Sequence, residues 1–243
     1  MKTTSTTLIL TTLLSPIAAF SSTPAKTTIP GEVDVAAAFA SSTFPIEPSD
    51  LITRAKQVLS PEIGIGTKDN GACLADDFEF VAAVVGPIGK TEYLNALGTF
   101  KLEDSFDIEQ NTFGFTVDPL QPNRVWWYGR QVSTQTDAFM GVEPTTDSSS
   151  SNDEDATNNR ELTLPPQSFH MDFNAKGQVQ EFGFYTVDRR QGNTGGLGGA
   201  FGYFYGVGKP LPIRECQPYK PSLRFRMLNL LGSLGRKFAK KSE

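Results

Sequence analysis

The sequence predicts one α+β domain whose helices come first and whose sheet is built mostly from the second half of the chain. Three observations predict it. An amphipathic helical pattern opens the folded part, with Leu51, Ile52, Ala55, Val58 and Leu59 recurring at helical spacing. Three stretches rich in aromatic and β-branched residues follow, Phe106 to Val117, Val125 to Thr136 and Phe169 to Val187, and such composition with alternation marks half-buried strands. Finally, 243 residues with 38% hydrophobic residues and 18 Phe are enough for one real core once the tails are set aside.

The amino terminus is an address. Lys2, a hydroxyl-rich lead, the apolar residues Leu8, Ile9, Leu10, Leu13 and Leu14, and then Pro16-Ile17-Ala18-Ala19 fit a secretory signal over residues 1–19. It is too short for a permanent span, which needs about 20 apolar residues. Residues 20–45 begin Phe20-Ser21-Ser22-Thr23-Pro24-Ala25-Lys26 and carry no acid until Glu32, which is transit-peptide composition. A signal joined to such a segment through Ala19-Phe20 resembles the bipartite plastid presequence of algae with secondary plastids. The resemblance implies a plastid (chloroplast) destination; plain secretion is the alternative.

From about Pro45 the chain reads as folded. Ser49 or Asp50 is placed to cap the first helix, and Pro61, Gly64 and Gly66 stop it. Phe78, Phe80, Ala82 and Val84 alternate before Gly86-Pro87, a strand, and Thr91 to Leu97 is a short helix carrying Tyr93. Glu143 to Arg160, with Ser148 to Ser151 and an Asn-Asp-Glu-Asp run, cannot bury apolar area and is expected to be a disordered insertion. The last aromatic stretch is broken by Asn174-Ala175-Lys176-Gly177, a hairpin turn. Residues 191–220 form a Gly/aromatic and Pro-containing extension. Its run from Gly192 to Gly208 lacks the G-x-G-x-x-G spacing of a phosphate cradle, so an aromatic loop over the domain is expected. Residues 221–243 predict a helix with an apolar stripe of Leu223, Met227, Leu230, Leu231, Leu234 and Phe238, and with Arg226, Arg236, Lys237 and Lys240 on the other side. Such a helix either contacts a membrane peripherally, through residues 221–242, or packs on the domain.

A net charge of −5, with the acidic excess concentrated around Asp147 to Asp155, excludes a basic field for nucleic acid. Cys73 and Cys216 stand far apart and outside any C-x-x-C arrangement, which argues against a disulfide scaffold or structural zinc and leaves a regulatory disulfide or two free thiols. Asp76, Asp77 and Glu79 have no His or Cys at ligand spacing, so neither a metal nor a cofactor is expected.

The order helix, strand, helix and then long strands ending in a hairpin, together with Leu74-Ala75-Asp76-Asp77-Phe78-Glu79-Phe80, Gly86-Pro87-Ile88-Gly89-Lys90 and Phe173-Asn174-Ala175-Lys176-Gly177-Gln178-Val179, resembles the nuclear transport factor 2-like superfamily and its SnoaL-like branch. The resemblance implies a domain over residues 46–190, a curved antiparallel sheet forming a cone with helices on its concave side, and a pocket between them. It marks fold rather than activity, because cyclases, isomerases, dehydratases, hydrolases and non-catalytic binding or dimerisation modules share it. Homodimerisation is left open.

If the final hairpin closes through a two- or four-residue turn, His170 lies opposite Glu181, with Asp172, Gly183 and Tyr185 on the same face. A His beside a carboxylate suits general-base work. The other face presents Phe169, Met171, Phe173, Phe182 and Phe184 and should point to core or pocket, which turns His170 outward as a structural or solvent-facing residue rather than a catalytic one. In Trp126-Trp127-Tyr128-Gly129-Arg130 the alternation sends the two Trp side chains to opposite sides. The expected ligand-contact set is Tyr93, Trp127, Phe169, Met171, Phe173, Phe182 and Phe184. Two functions fit: an apolar pocket that binds a small hydrophobic molecule such as an isoprenoid, pigment or lipid-like compound, or an enzyme of the cyclase, isomerase or dehydratase kind. The enzyme would use His170 with Glu181, or Asp77 or Asp188 with Tyr or Trp donors.

Overall fold

A computed structural model describes residues 29–145 and 160–239, the last eight of these by backbone alone. The signal segment 1–19, the transit-like stretch as far as Thr28 and most of the insertion lie outside the described residues. The chain divides into two units, Met1–Asp34 and Val35–Glu243. In the first, the described part is a turn in which the Glu32 amide donates to the Ile29 carbonyl at 2.9 Å.

The second unit opens with α1 (Val35–Ala40) and α2 (Pro48–Val58), which lead to β1 (Leu74–Ala82). A short β2 (Ile88–Gly89), α3 (Lys90–Phe100) and a single turn, α4 (Leu102–Ser105), follow. Then come β3 (Phe106–Glu109), β4 (Thr112–Val117), β5 (Arg124–Gly129), β6 (Val132–Gln135), β7 (Glu161–Thr163), β8 (Gln167–Phe173) and β9 (Val179–Thr186), and finally α5 (Gly199–Gly206) and α6 (Leu223–Ala239). The fold is α+β, with a six-stranded sheet in the order β2-β1-β9-β8-β5-β4 and a three-stranded sheet in the order β3-β6-β7.

The large sheet is mixed, where an antiparallel one was expected. β1 and β9 run parallel, with Phe80 beside Phe182 and Ala82 beside Phe184, while its other pairs are antiparallel. A parallel pair needs a long crossover, and here everything from α3 to β8 supplies it. Two stretches read as continuous strands also divide. Phe106 to Val117 breaks at Asn111, whose φ of 44° turns the chain, so that β3 joins the small sheet and β4 the large one. Val125 to Thr136 divides likewise into β5 and β6. Residue alternation registers the strand but not the change of sheet.

α2 follows its pattern, burying Leu51, Ala55 and Val58 against the sheet. It starts at Pro48, so Ser49 and Asp50 lie within its first turn; Glu47 holds the N-cap position without a side-chain bond. A proline at the first helical position gives up an amide that would have had no partner there. Phe39 and Phe44 pack on the same core, so the packed unit reaches back beyond Pro45.

A second core gathers Phe106, Phe139, Leu162, Leu164, Tyr203 and Phe204 around the small sheet. Its aromatic lid is α5, which corrects the expectation of a loop in the Gly-rich stretch. The glycines there set distance: a Cβ on Gly206 would stand 2.6 Å from Leu162 Cδ2, and one on Gly202 2.6 Å from the Leu197 carbonyl. Cys73 and Cys216 are both free and buried, one in each core. Burial, with Asp69 nearby, pushes the Cys73 thiol up to about 12.

Candidate functional site

Alternation along β5, β8 and β9 divides the large sheet into two chemically distinct faces. The inner face, toward α2 and α3, is aromatic. The Trp127 ring lies nearly parallel to Phe169 at 5.4 Å, to Phe115 at 5.6 Å and to Phe182 at 6.3 Å. Tyr93, from α3, meets Phe182 edge-on at 6.4 Å, and Phe80 bridges Tyr93 at 5.5 Å to Phe184 at 6.0 Å. Met171 and Phe173 are fully buried in the same cluster. The fold thus brings all seven expected contact residues onto one face. Phe80, Phe169 and Phe184 are half-buried, the most accessible aromatic side chains of this cluster. Its polar members are the Tyr93 hydroxyl, pushed above its ordinary range by burial, and Gln167, whose amide oxygen has no partner among the described residues.

The outer face holds the ionisable groups. His170 Nε2 lies 2.8 Å from Glu181 Oε1, and Arg124 Nη2 reaches the same oxygen at 2.8 Å. Arg124 also grips Asp172 with two nitrogens, through Nε to Oδ1 and through Nη2 to Oδ2 at 2.7 Å; Gln121 Nε2 donates to that Oδ2 at 2.8 Å. Trp126 packs on His170 at 5.1 Å and donates its indole N–H to Asp118 at 3.0 Å, and Tyr185 stacks on the imidazole at 5.8 Å.

His170 is on the outer face and fully buried, which fits the structural side of the expectation and not the solvent-facing one. Its cross-strand partner is Gly183, and Glu181 pairs with Asp172. The five-residue connection Asn174–Gln178 and an irregularity beside Phe173 displace the register by two positions, a shift that keeps the face and changes the partner. Gly183 makes room for the ring, since a Cβ there would stand 2.4 Å from His170 Cε1. Burial first, and then the Arg124 charge, hold the imidazole below its ordinary pKa against the opposing effect of its hydrogen bond to Glu181. His170 is thus neutral, with Nε2–H donated to Glu181 and Nδ1 buried without a partner among the described residues.

This arrangement is chemically closed. One imidazole nitrogen is taken, and the other is buried with no hydrogen-bond partner among the described residues. The ligand atoms of His170, Asp172 and Glu181 lie within 4.8 Å of one another, yet a dication there would meet the Arg124 guanidinium, which already compensates both carboxylates. The other acid candidates stand apart. Asp77 is exposed and accepts from Gln180 at 3.0 Å, while Asp188 is held far below the usual carboxylate range by Arg190, bonded at 2.8 Å. Arg124, Gln121 and Gln167 were missed. Parity places Arg124 with His170, but its pairing with Asp172 follows from the β5–β8 register, which no local signal fixes.

Two surface grooves are also present. One of about 700 Å³ runs between α2 and β4 beside Ile52, Lys56, Leu59 and Phe113; the other, about 320 Å³, is lined by Arg130, Val132, Leu164 and Gln191 among others. Phe115, stacked on Trp127, lines the first groove, whereas none of the seven expected contact residues lines either one.

No protein-family model matches the chain, and no curated protein matches it. Among solved structures it is similar to an LEH-like epoxide hydrolase of M. tuberculosis, with a TM-score of 0.39 and 11% identity over 58% of this chain and 84% of that one. It is also similar to a candidate SnoaL-like polyketide cyclase of Jannaschia sp. CCS1, with a TM-score of 0.38 and 16% identity over 60% and 89% of the two chains. A third likeness, to a de novo designed protein with a curved β-sheet, has a TM-score of 0.32 and 10% identity over 58% and 88%. Likenesses at this level say nothing about activity.

Proposed function

We propose that the chain is a nuclear transport factor 2-like, SnoaL-like domain whose cone binds a small apolar molecule on its aromatic face without chemical turnover. The observation that carries this reading is the segregation of the two faces. β5, β8 and β9 present Trp, Phe and Met inward, and every ionisable side chain near His170 belongs to the opposite face. A ligand held against this face meets ring faces, the Gln167 amide and the Tyr93 hydroxyl, a lining suited to affinity for apolar surface and lacking a carboxylate or imidazole.

Trp126 and Trp127 make the test simple, because each reports on one face. In Trp126→Phe, titration with farnesol should quench Trp127 saturably, and Phe184→Ala should weaken that binding while leaving the melting curve close to the parent's. Native mass spectrometry of small molecules retained by the purified protein should find an apolar compound. An unquenched Trp127 with no retained compound would sink the proposal.

We also propose a plastid destination, supported by the Ala19-Phe20 junction. Because the packed unit begins at Val35, removal of the presequence is expected to stop before it. Residues 1–34 fused to a reporter should direct import, and Phe20→Ala should halt it outside the innermost compartment; unchanged import counts against the bipartite reading.

A further inference from the structure

We infer that α6 docks the protein on an anionic membrane surface. The helix spans Leu223–Ala239, and five of its apolar side chains, Leu223, Phe225, Met227, Leu228 and Leu231, stand exposed, Met227 by 63%. The contrast with α5 is direct, since that helix buries Tyr203 and Phe204. An exposed run of large apolar side chains on one helix calls for a partner.

Charge identifies the partner. From Lys220 to Glu243 the sequence holds seven basic residues and one acid, a net +6, whereas the whole chain carries −5, which leaves −11 on residues 1–219. The chain's own acidic surface is tethered to this helix through Gln217-Pro218-Tyr219-Lys220-Pro221, yet the described side chains of α6 stand exposed instead of lying against it. A surface that is acidic, extended and apolar just beneath is the headgroup region of an anionic bilayer. There, basic residues remain among the headgroups while Leu, Met and Phe enter the acyl boundary. None of the described helices is long and apolar enough to cross a membrane, so the association is peripheral.

The test is flotation of the full chain with vesicles of phosphatidylcholine containing phosphatidylserine, compared with phosphatidylcholine alone. Docking predicts flotation with the anionic vesicles that fades as salt is raised. Truncation before Ser222 should abolish flotation with no change in melting temperature. Each of Arg224→Gln and Arg226→Gln should weaken partitioning about fivefold at low salt, and Met227→Asp with Leu231→Asp should remove it. Equal binding to neutral vesicles would overturn the assignment to an anionic surface. A lowered melting temperature on truncation without flotation would show that the helix packs on its own domain, and a truncation-sensitive dimer without flotation would show that a second copy covers it. Either result overturns the proposal.

Discussion

His170 is a neutral base walled in by Trp126, Tyr185, Arg124 and Glu181, and this has a consequence for pH. Its folded pKa lies below its ordinary value of 6.5, so above that pH both folded and unfolded chains hold it neutral and it adds no pH dependence. As pH falls below about 6.5 the unfolded chain takes up a proton that the folded one resists, and stability drops with a slope of at most about 1.4 kcal/mol per pH unit from this group. Denaturant melts between neutral and mildly acidic pH should show the decline, and His170→Gln, which keeps a donor toward Glu181, should flatten it. A decline unchanged in the variant would assign the effect to carboxylates. Beside it, Gly183→Ala would put a methyl 2.1 Å from the Val81 carbonyl and 2.4 Å from the imidazole. Backbone cannot yield as a side chain can, so a loss of about 1–3 kcal/mol or more is expected, and trimming His170 should recover only part of it. Sequence alternation assigned His170, Asp172, Glu181 and Tyr185 to one face. It could not supply their partners, because register depends on a turn length and an irregularity that leave no periodic trace.

Among the elements, α2 was legible because an apolar 3.6-residue period coincides with breakers at both ends. α5 was not: glycine is a poor helix former, by about 1 kcal/mol relative to alanine, and its aromatics show no single stripe. What makes residues 199–206 helical is the seat beneath them, where Phe204 stacks on Phe139 at 5.8 Å and meets Phe100 edge-on at 5.0 Å, and where the Tyr203 hydroxyl bonds Ser133 at 2.6 Å. Phe204→Ala should therefore cost about 3–5 kcal/mol in equilibrium unfolding, as for a fully buried ring. A surface loop would lose less than about 0.5 kcal/mol, and a loss that small would mean α5 is not part of the core. β3 and β6 were hidden for a related reason. Each continues a neighbouring strand's alternation, and only the left-handed turn at Asn111 and the break at Arg130 and Gln131 reveal that a second sheet has begun.

For the whole molecule, the separation of an aromatic face from an ionic one was readable as a pattern, and the identity of the strand beside β1 was not. That separation also ranks two substitutions. Phe182→Asp, which buries an unpaired carboxylate among rings, should destabilise by several kcal/mol, whereas Tyr185→Asp at a half-exposed outer position should cost far less in the same thermal melts; comparable losses would reverse inside and outside. The parallel pairing of β1 with β9 has a further consequence, in time. A ribosome delivers Leu74–Ala82 early and Val179–Thr186 late, so β1 waits with one edge open and Phe78 and Phe80 uncovered until nearly the whole domain has emerged. Nascent chains arrested before Val179 should thus be cut by protease at β1, and chains arrested well beyond Thr186 should resist. Until that last strand arrives, the chain carries an unpaired strand edge and uncovered aromatic side chains, the condition in which a growing chain is most open to aggregation.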